Sequence, residues 1–155
     1  MLGGGLDELY REVILDHSKN PRNYRELPAP DVCVKGHNPL CGDQIILELK
    51  ISGGTVEAAG FHGSGCAISQ ASASMLTDSI KGKSLEEAER LIQQVKGMVM
   101  GTGPTVSDGN GDLEALEGVK KFPVRVKCAT LCWNTLQQAI LTYRAGGHVA
   151  EQVEK

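Results

Sequence analysis

The spacing of apolar positions changes along the chain, and each change marks an element. Leu6, Leu9, Tyr10, Val13 and Ile14 recur every three or four residues and Asn20-Pro21 closes the run, which predicts an amphipathic helix over residues 6–18. A polar, Pro-containing link runs on through Pro30. Residues 31–37 fit a short strand. From 44 to 51 the chain alternates, with Ile45, Leu47, Leu49 and Ile51 on one face and Gln44, Glu48 and Lys50 on the other. Ser52-Gly53-Gly54-Thr55 then signals a two-residue hairpin, because a type I′ turn requires positive φ at both central positions. The return strand spans residues 55–63.

Helical spacing resumes at 67–80 through Ile68, Ala71, Met75 and Leu76, with Cys66 at its start. Ser84 and Glu87 form a capping box. Leu85, Ala88, Leu91, Ile92 and Val95 give the core stripe of the helix that follows, which Gly97 is expected to stop. Residues 101–112 are a Gly-rich loop, and a short helix is expected over 113–117. The Gly-x-Gly in this loop lacks the preceding buried strand and following long helix of a phosphate site, so it is a plain loop. Pro123 opens a long amphipathic helix through Ala129, Trp133, Leu136, Ile140 and Tyr143, closed by Gly146-Gly147, with Cys128 in its first turns. No internal repeat and no second domain are visible, so residues 1–155 are expected to form a single domain.

A chain of 155 residues can bury a core without metal or disulfide staples. A net charge of −3 and scattered basic residues provide no footprint for nucleic acid or an anionic membrane. The start, Met-Leu-Gly-Gly-Gly-Leu-Asp-Glu-Leu, has neither a basic head nor an apolar run, and a cytoplasmic protein is expected. Five cysteines, Cys33, Cys41, Cys66, Cys128 and Cys132, change the picture more. In a reducing compartment an odd set of thiols suggests metal, redox or sulfur chemistry; the alternative is small buried apolar residues.

A two-residue turn at Gly53-Gly54 sets a register. Ser52 faces Thr55, Ile51 faces Val56, Leu49 faces Ala58, Leu47 faces Gly60 and Ile45 faces His62. Carried further, it sets Asp43 opposite Ser64 and Cys41 opposite Cys66, all on the apolar face. The glycines at 42, 60, 63 and 65 invite a bulge along the way. The mouth of the hairpin would then gather Cys41, Asp43 and Cys66, and the long C-terminal helix, if packed on the same face, would add Cys128. Three thiolates and a carboxylate suit tetrahedral zinc, and the same set could hold a small iron-sulfur cluster weakly. Cys66 and Cys128 lie near helix N-termini, where the dipole favours thiolate. Register and composition leave a shared metal site and separate buried cysteines both open.

Three segments, Asn38-Pro39-Leu40-Cys41-Gly42-Asp43, Gly63 to Ser74 and Val126-Lys127-Cys128-Ala129-Thr130-Leu131, resemble the motifs of the U-type iron-sulfur assembly scaffold family, as does Asp16 to Asn23. The resemblance implies an α+β fold with a three-stranded antiparallel sheet packed by helices and a metal site at the end of the sheet. It implies that Cys41, Asp43, Cys66 and Cys128 hold zinc or a transient iron-sulfur cluster, of the [2Fe-2S] kind. It further implies sulfur delivery as persulfide from a PLP-dependent cysteine desulfurase and onward transfer to apo iron-sulfur proteins or carriers. Lys127 stands where the IscU type has histidine. Lys121-Phe122-Pro123-Val124-Arg125 replaces that type's Leu-Pro-Pro-Val-Lys chaperone motif, and residues 98–120 form an extra segment. These features are similar to the SufU type.

Within that family, Cys41, set in a loop between Pro39 and Gly42, is the expected sulfur acceptor, and Asp43 a ligand with a part in release. Cys132 is expected to be a core cysteine, Cys33 a bystander and His62 a core histidine beside the site. Arg125 and Lys127 either neutralise thiolates or form a solvated basic helix start. A carrier that is not itself an enzyme is the main expectation, with a sulfurtransferase role beside a desulfurase. The competing reading is a zinc-stabilised adaptor that docks and regulates a partner; a thiol hydrolase has no local signature.

Overall fold

The alternating segment at 44–51 becomes the middle of a sheet because only a central strand can bury one face against helices and keep both edges paired. In the computed structural model, which describes residues 2–106 and 112–154 and only the backbone of 2–10, the order of elements is α1 (Leu2–Lys19), β1 (Val32–Asn38), β2 (Asp43–Ser52), β3 (Thr55–Ser64), α2 (Ala67–Ile80), α3 (Leu85–Met100), a 3-10 helix (Leu113–Lys121), α4 (Pro123–Arg144) and β4 (Val149–Val153). The side chains of the stripe positions Leu6, Leu9 and Tyr10, and residues 107–111 of the Gly-rich loop, lie outside what is described. The sheet runs β3-β2-β1-β4. Its first three strands are antiparallel, as the resemblance implied. The unforeseen β4 pairs parallel with β1, Cys33 opposite Val149 through His37 opposite Val153.

The Gly53-Gly54 turn forms as expected, with φ of 59° and 77°. The register beyond it does not. Ile51 faces Val56, but Lys50 faces Ala58, so Glu57 is an extra residue and a bulge shifts every later pair by one. Because strand side chains alternate, one residue of slip exchanges the faces of β3. Ala59 and Phe61 are buried where Ala58 and Gly60 were expected, and Leu47 faces Phe61. His62 moves to the outer face opposite Ile46, 3.7 Å from Glu26, and is not a core histidine beside the site. Asp43 stands one pair beyond Gln44 and Ser64, so the expected pairing of Cys41 with Cys66 is lost.

Val32, Val34, Leu47, Leu49 and Phe61 from the sheet meet Met75 and Leu76 of α2, Ile92 and Val95 of α3, and Trp133 and Leu136 of α4 in one core. α4 crosses β1 so closely that a Cβ at Gly36 would stand 2.0 Å from Thr135 Oγ1. This crossing sets the first turns of α4 beside the end of the sheet. α3 runs through Gly97 to Met100, since Met98 and Val99 continue its apolar stripe; the left-handed cap is Gly101, φ 80°. The 3-10 helix is longer than the expected 113–117.

Candidate metal centre

Cys41 occupies the turn Pro39–Gly42 between β1 and β2, whose last ladder pair is Asn38 with Asp43. Gly42 leaves this turn at φ +78°, a left-handed value open to glycine. Cys41 is exposed, whereas Asp43 and Cys128 are each 3% exposed. One ligand atom from each of Cys41, Asp43 and Cys128 lies within 4.8 Å of the other two. The tip of a hairpin, the first residue of a strand and the second turn of a helix thus converge.

Cys66 joins from a different direction. It is the N-cap of α2, its sulfur accepting the Ser69 N–H at 3.4 Å in place of the usual oxygen. Its own N–H donates to Asp43 Oδ1 at 3.1 Å, and its sulfur lies 3.9 Å from Asp43 Oδ2. Gly65 makes this possible, since a Cβ there would stand 2.8 Å from Asp43 Oδ1 and 3.0 Å from Ser69 Oγ. Cys66 lies outside the group of three that are mutually within 4.8 Å, yet it faces both Asp43 and Cys128.

Burial first, then the neighbouring Cys66 and Asp43, pushes the Cys128 thiol up to about 12. The expectation that a helix N-terminus would favour thiolate at Cys128 is therefore reversed. Cys128 is the sixth residue of α4, past the turn where the dipole acts, and burial outweighs it. Arg125 sits beside the same sulfurs: its hydrogen bond to Cys128, then attraction to Cys66, holds its guanidinium above its ordinary pKa. Lys127 is exposed one residue before Cys128. Cys66 and Asp43 this close oppose ionisation of Cys128, and a divalent cation among them relieves that opposition, so the donor set fits a metal ion of the zinc kind. Cys41, Asp43, Cys66 and Cys128 could hold it.

The other cysteines separate cleanly. Cys132 is 2% exposed and donates to Ser72 Oγ at 3.3 Å, a hydroxyl that also accepts from Trp133 Nε1 at 3.0 Å and donates to the Ala129 carbonyl at 2.7 Å. It is a core cysteine. Cys33 pairs with Glu48 on the outer face, where burial and then that carboxylate raise its thiol. Sequence reasoning gave Asn38, Gly65 and His17 no part in shaping the site. The Asn-Pro before a hairpin tip signals a turn, and a glycine before a helix cap signals close approach. His17 lies within a motif already noted; it is 1% exposed and bridges Ser74 of α2 and Asp112 at 2.7 Å each, pinning α1 to both.

An α+β fold that gathers thiols and a carboxylate at the end of its sheet presents a candidate metal site on a small scaffold. The family described as NifU-like N terminal domain matches residues 9–149, and the chain belongs to it, the family of U-type iron-sulfur scaffolds. It is 48% identical over 141 residues to the zinc-dependent sulfurtransferase SufU of Bacillus subtilis, covering 91% of this chain and 95% of that one. It is 42% identical over 147 residues to the iron-sulfur cluster assembly scaffold protein IscU of Streptococcus pyogenes, covering 95% and 92%. The crystal structure of FiSufU from Fervidobacterium islandicum superposes with a TM-score of 0.77 at 32% identity, over 83% of this chain and 94% of that one. The NifU-like N-terminal protein of Brucella abortus shares the fold, with a TM-score of 0.80 at 24% identity, over 88% and 94%.

Proposed function

We propose that the protein is a zinc-binding sulfur acceptor that takes persulfide sulfur from a PLP-dependent cysteine desulfurase and supports iron-sulfur cluster formation, in the manner of the SufU type. The observation that carries this reading is that Cys41 is an exposed residue whose sulfur lies within 4.8 Å of the ligand atoms of the buried Asp43 and Cys128. A purely structural zinc site is closed, whereas an acceptor must be reachable. Identity to a zinc-dependent sulfurtransferase SufU, and the thiolate-carboxylate donor set, support zinc as the resident ion.

In this reading Asp43, Cys66 and Cys128 are the fixed ligands and Cys41 is the ligand that reacts. Zinc held by Cys41, Asp43, Cys66 and Cys128 would keep the sulfurs as thiolates at neutral pH. The Cys41 thiolate attacks the terminal sulfur of the desulfurase persulfide. A new S–S bond forms on Cys41, the old one breaks, and the desulfurase cysteine leaves as thiolate. Arg125, beside Cys66 and Cys128, offsets the negative charge of the site. Leu40, 78% exposed, and Val124, 86% exposed, flank Cys41 and open α4, and supply apolar surface for the docked desulfurase. One core running from Val32 to Ile140 supports a single scaffold domain. No helix among the described residues is long and apolar enough to cross a membrane; membership of the scaffold family supports a cytoplasmic setting.

Incubating the zinc-loaded protein with a cysteine desulfurase and cysteine should add sulfur to Cys41 by peptide mass mapping, and Cys41→Ala should abolish it. Anaerobic reconstitution with iron in the same mixture separates carrier from scaffold by absorbance. Desulfurase stimulation with no sulfur on any cysteine would instead establish the adaptor reading, in which zinc only holds a docking surface.

A further inference from the structure

The candidate donors differ in what sets their positions. Asp43 begins a strand, Cys66 caps a helix and Cys128 lies within one. Cys41 has no such support, because its turn lies outside the ladder. Two hydrogen bonds define that turn, and both go to one residue. The Gly42 N–H donates to the Asn38 carbonyl at 2.8 Å, and the Leu40 N–H donates to Asn38 Oδ1 at 3.1 Å. The second is a side-chain turn, in which an asparagine accepts from the backbone two residues on. Pro39 fixes the intervening φ and carries no N–H to compete for the acceptor.

Asn38 is 2% exposed, a burial that favours an apolar side chain unless the polar group is used. Its use here is geometric: the carboxamide curls Pro39-Leu40-Cys41 back so that the Cys41 sulfur comes within 4.8 Å of the Asp43 and Cys128 ligand atoms. We propose that Asn38 is the positioning residue for Cys41, setting how much of the time that thiol faces the other donors and how often it swings out to a partner. The inference rests on the reading of Cys41 as acceptor.

The test is alkylation of the zinc-loaded full chain by iodoacetamide, with each cysteine followed separately by peptide mass mapping. Asn38→Leu keeps the buried volume and removes the acceptor, whereas Asn38→Ser restores a weaker acceptor for the same N–H. Cys41 should be alkylated about fivefold faster in Asn38→Leu, the effect of one hydrogen bond, with Asn38→Ser between it and wild type and with Cys66 and Cys128 unchanged in both. A general structural role would raise all three together, and that result, or an unchanged Cys41 rate, overturns the proposal. If Asn38→Leu does not fold, Asn38→Ser decides alone: a rise confined to Cys41 supports the proposal and any other pattern overturns it. Sulfur loading of the wild type by a desulfurase is measured in parallel. Loading on Cys41 with an unchanged alkylation rate sinks the positioning role alone, and absence of loading sinks the acceptor reading.

Discussion

Cys128 and Cys132 stand one helical turn apart on α4, both almost fully buried and both pushed up to about 12. Their surroundings have nothing else in common. Around Cys128 the sulfur of Cys66, the carboxylate of Asp43 and the guanidinium of Arg125 converge. Around Cys132 there is the hydroxyl of Ser72, shared with Trp133, and the core. Burial alone therefore does not distinguish a ligand from a packing residue. The mark of a ligand is a buried thiol whose neighbours are themselves acids, an arrangement that becomes favourable once a cation is added.

The sharpest way to break this contrast is to truncate each thiol. Cys128→Ala should lower zinc affinity about a hundredfold or more, beyond what loss of a supporting residue costs, while Cys132→Ala keeps equimolar zinc by elemental analysis. Zinc lost from both variants would erase the distinction. Ser72→Ala probes the packing side: it leaves the buried Trp133 N–H without its acceptor and the Cys132 thiol with only the Ala129 carbonyl, and urea unfolding should show a loss of about 2 kcal/mol with zinc content unchanged. Gly65→Ala probes the ligand side. The new methyl displaces the Asp43 carboxylate, and competition with a chelator should show about tenfold weaker zinc binding with only a small change in stability.

The smallest effect is in pH. Cys132 has its folded pKa raised from 9.0 to about 12, so its contribution to stability is intact below pH 9 and falls as pH rises through that window. Between pH 9 and 10 the wild type should lose up to about 1.4 kcal/mol more than Cys132→Ala in parallel denaturant titrations. Equal losses in the two proteins would mean that Cys132 is not held as a neutral thiol.

Much of this was visible in the chain because its elements announce themselves chemically: the clean alternation of 44–51, the double glycine of the hairpin, the capping box at Ser84 and Glu87, and Pro123 at the start of α4. The glycines pointed to a bulge but not to its place, because Ala58, Ala59 and Gly60 carry no polarity contrast by which to count faces, and only Phe61 and His62 beyond them tell the two frames apart. β4 was hidden because it is short, half polar and held by its partner strand. The register that first suggested the four candidate ligands was wrong. Asp43 and Cys66 meet through a backbone N–H and a helix cap, so they stay neighbours despite a one-residue slip that removes the cross-strand pairing of Cys41 with Cys66.

Cys66 caps α2 with a sulfur, and that has a consequence for how occupancy of the centre can be observed. The amide protons of Cys66 and Ser69 are bound to Asp43 and to the Cys66 sulfur, so their exchange with deuterated solvent depends on how those two groups are held. Filling the centre, or loading it with sulfur, should appear as a change in exchange over residues 66–70 before any change in the rest of the helix. The start of α2 should then report what the site contains, readable by solvent deuterium without an attached dye or a chromophore.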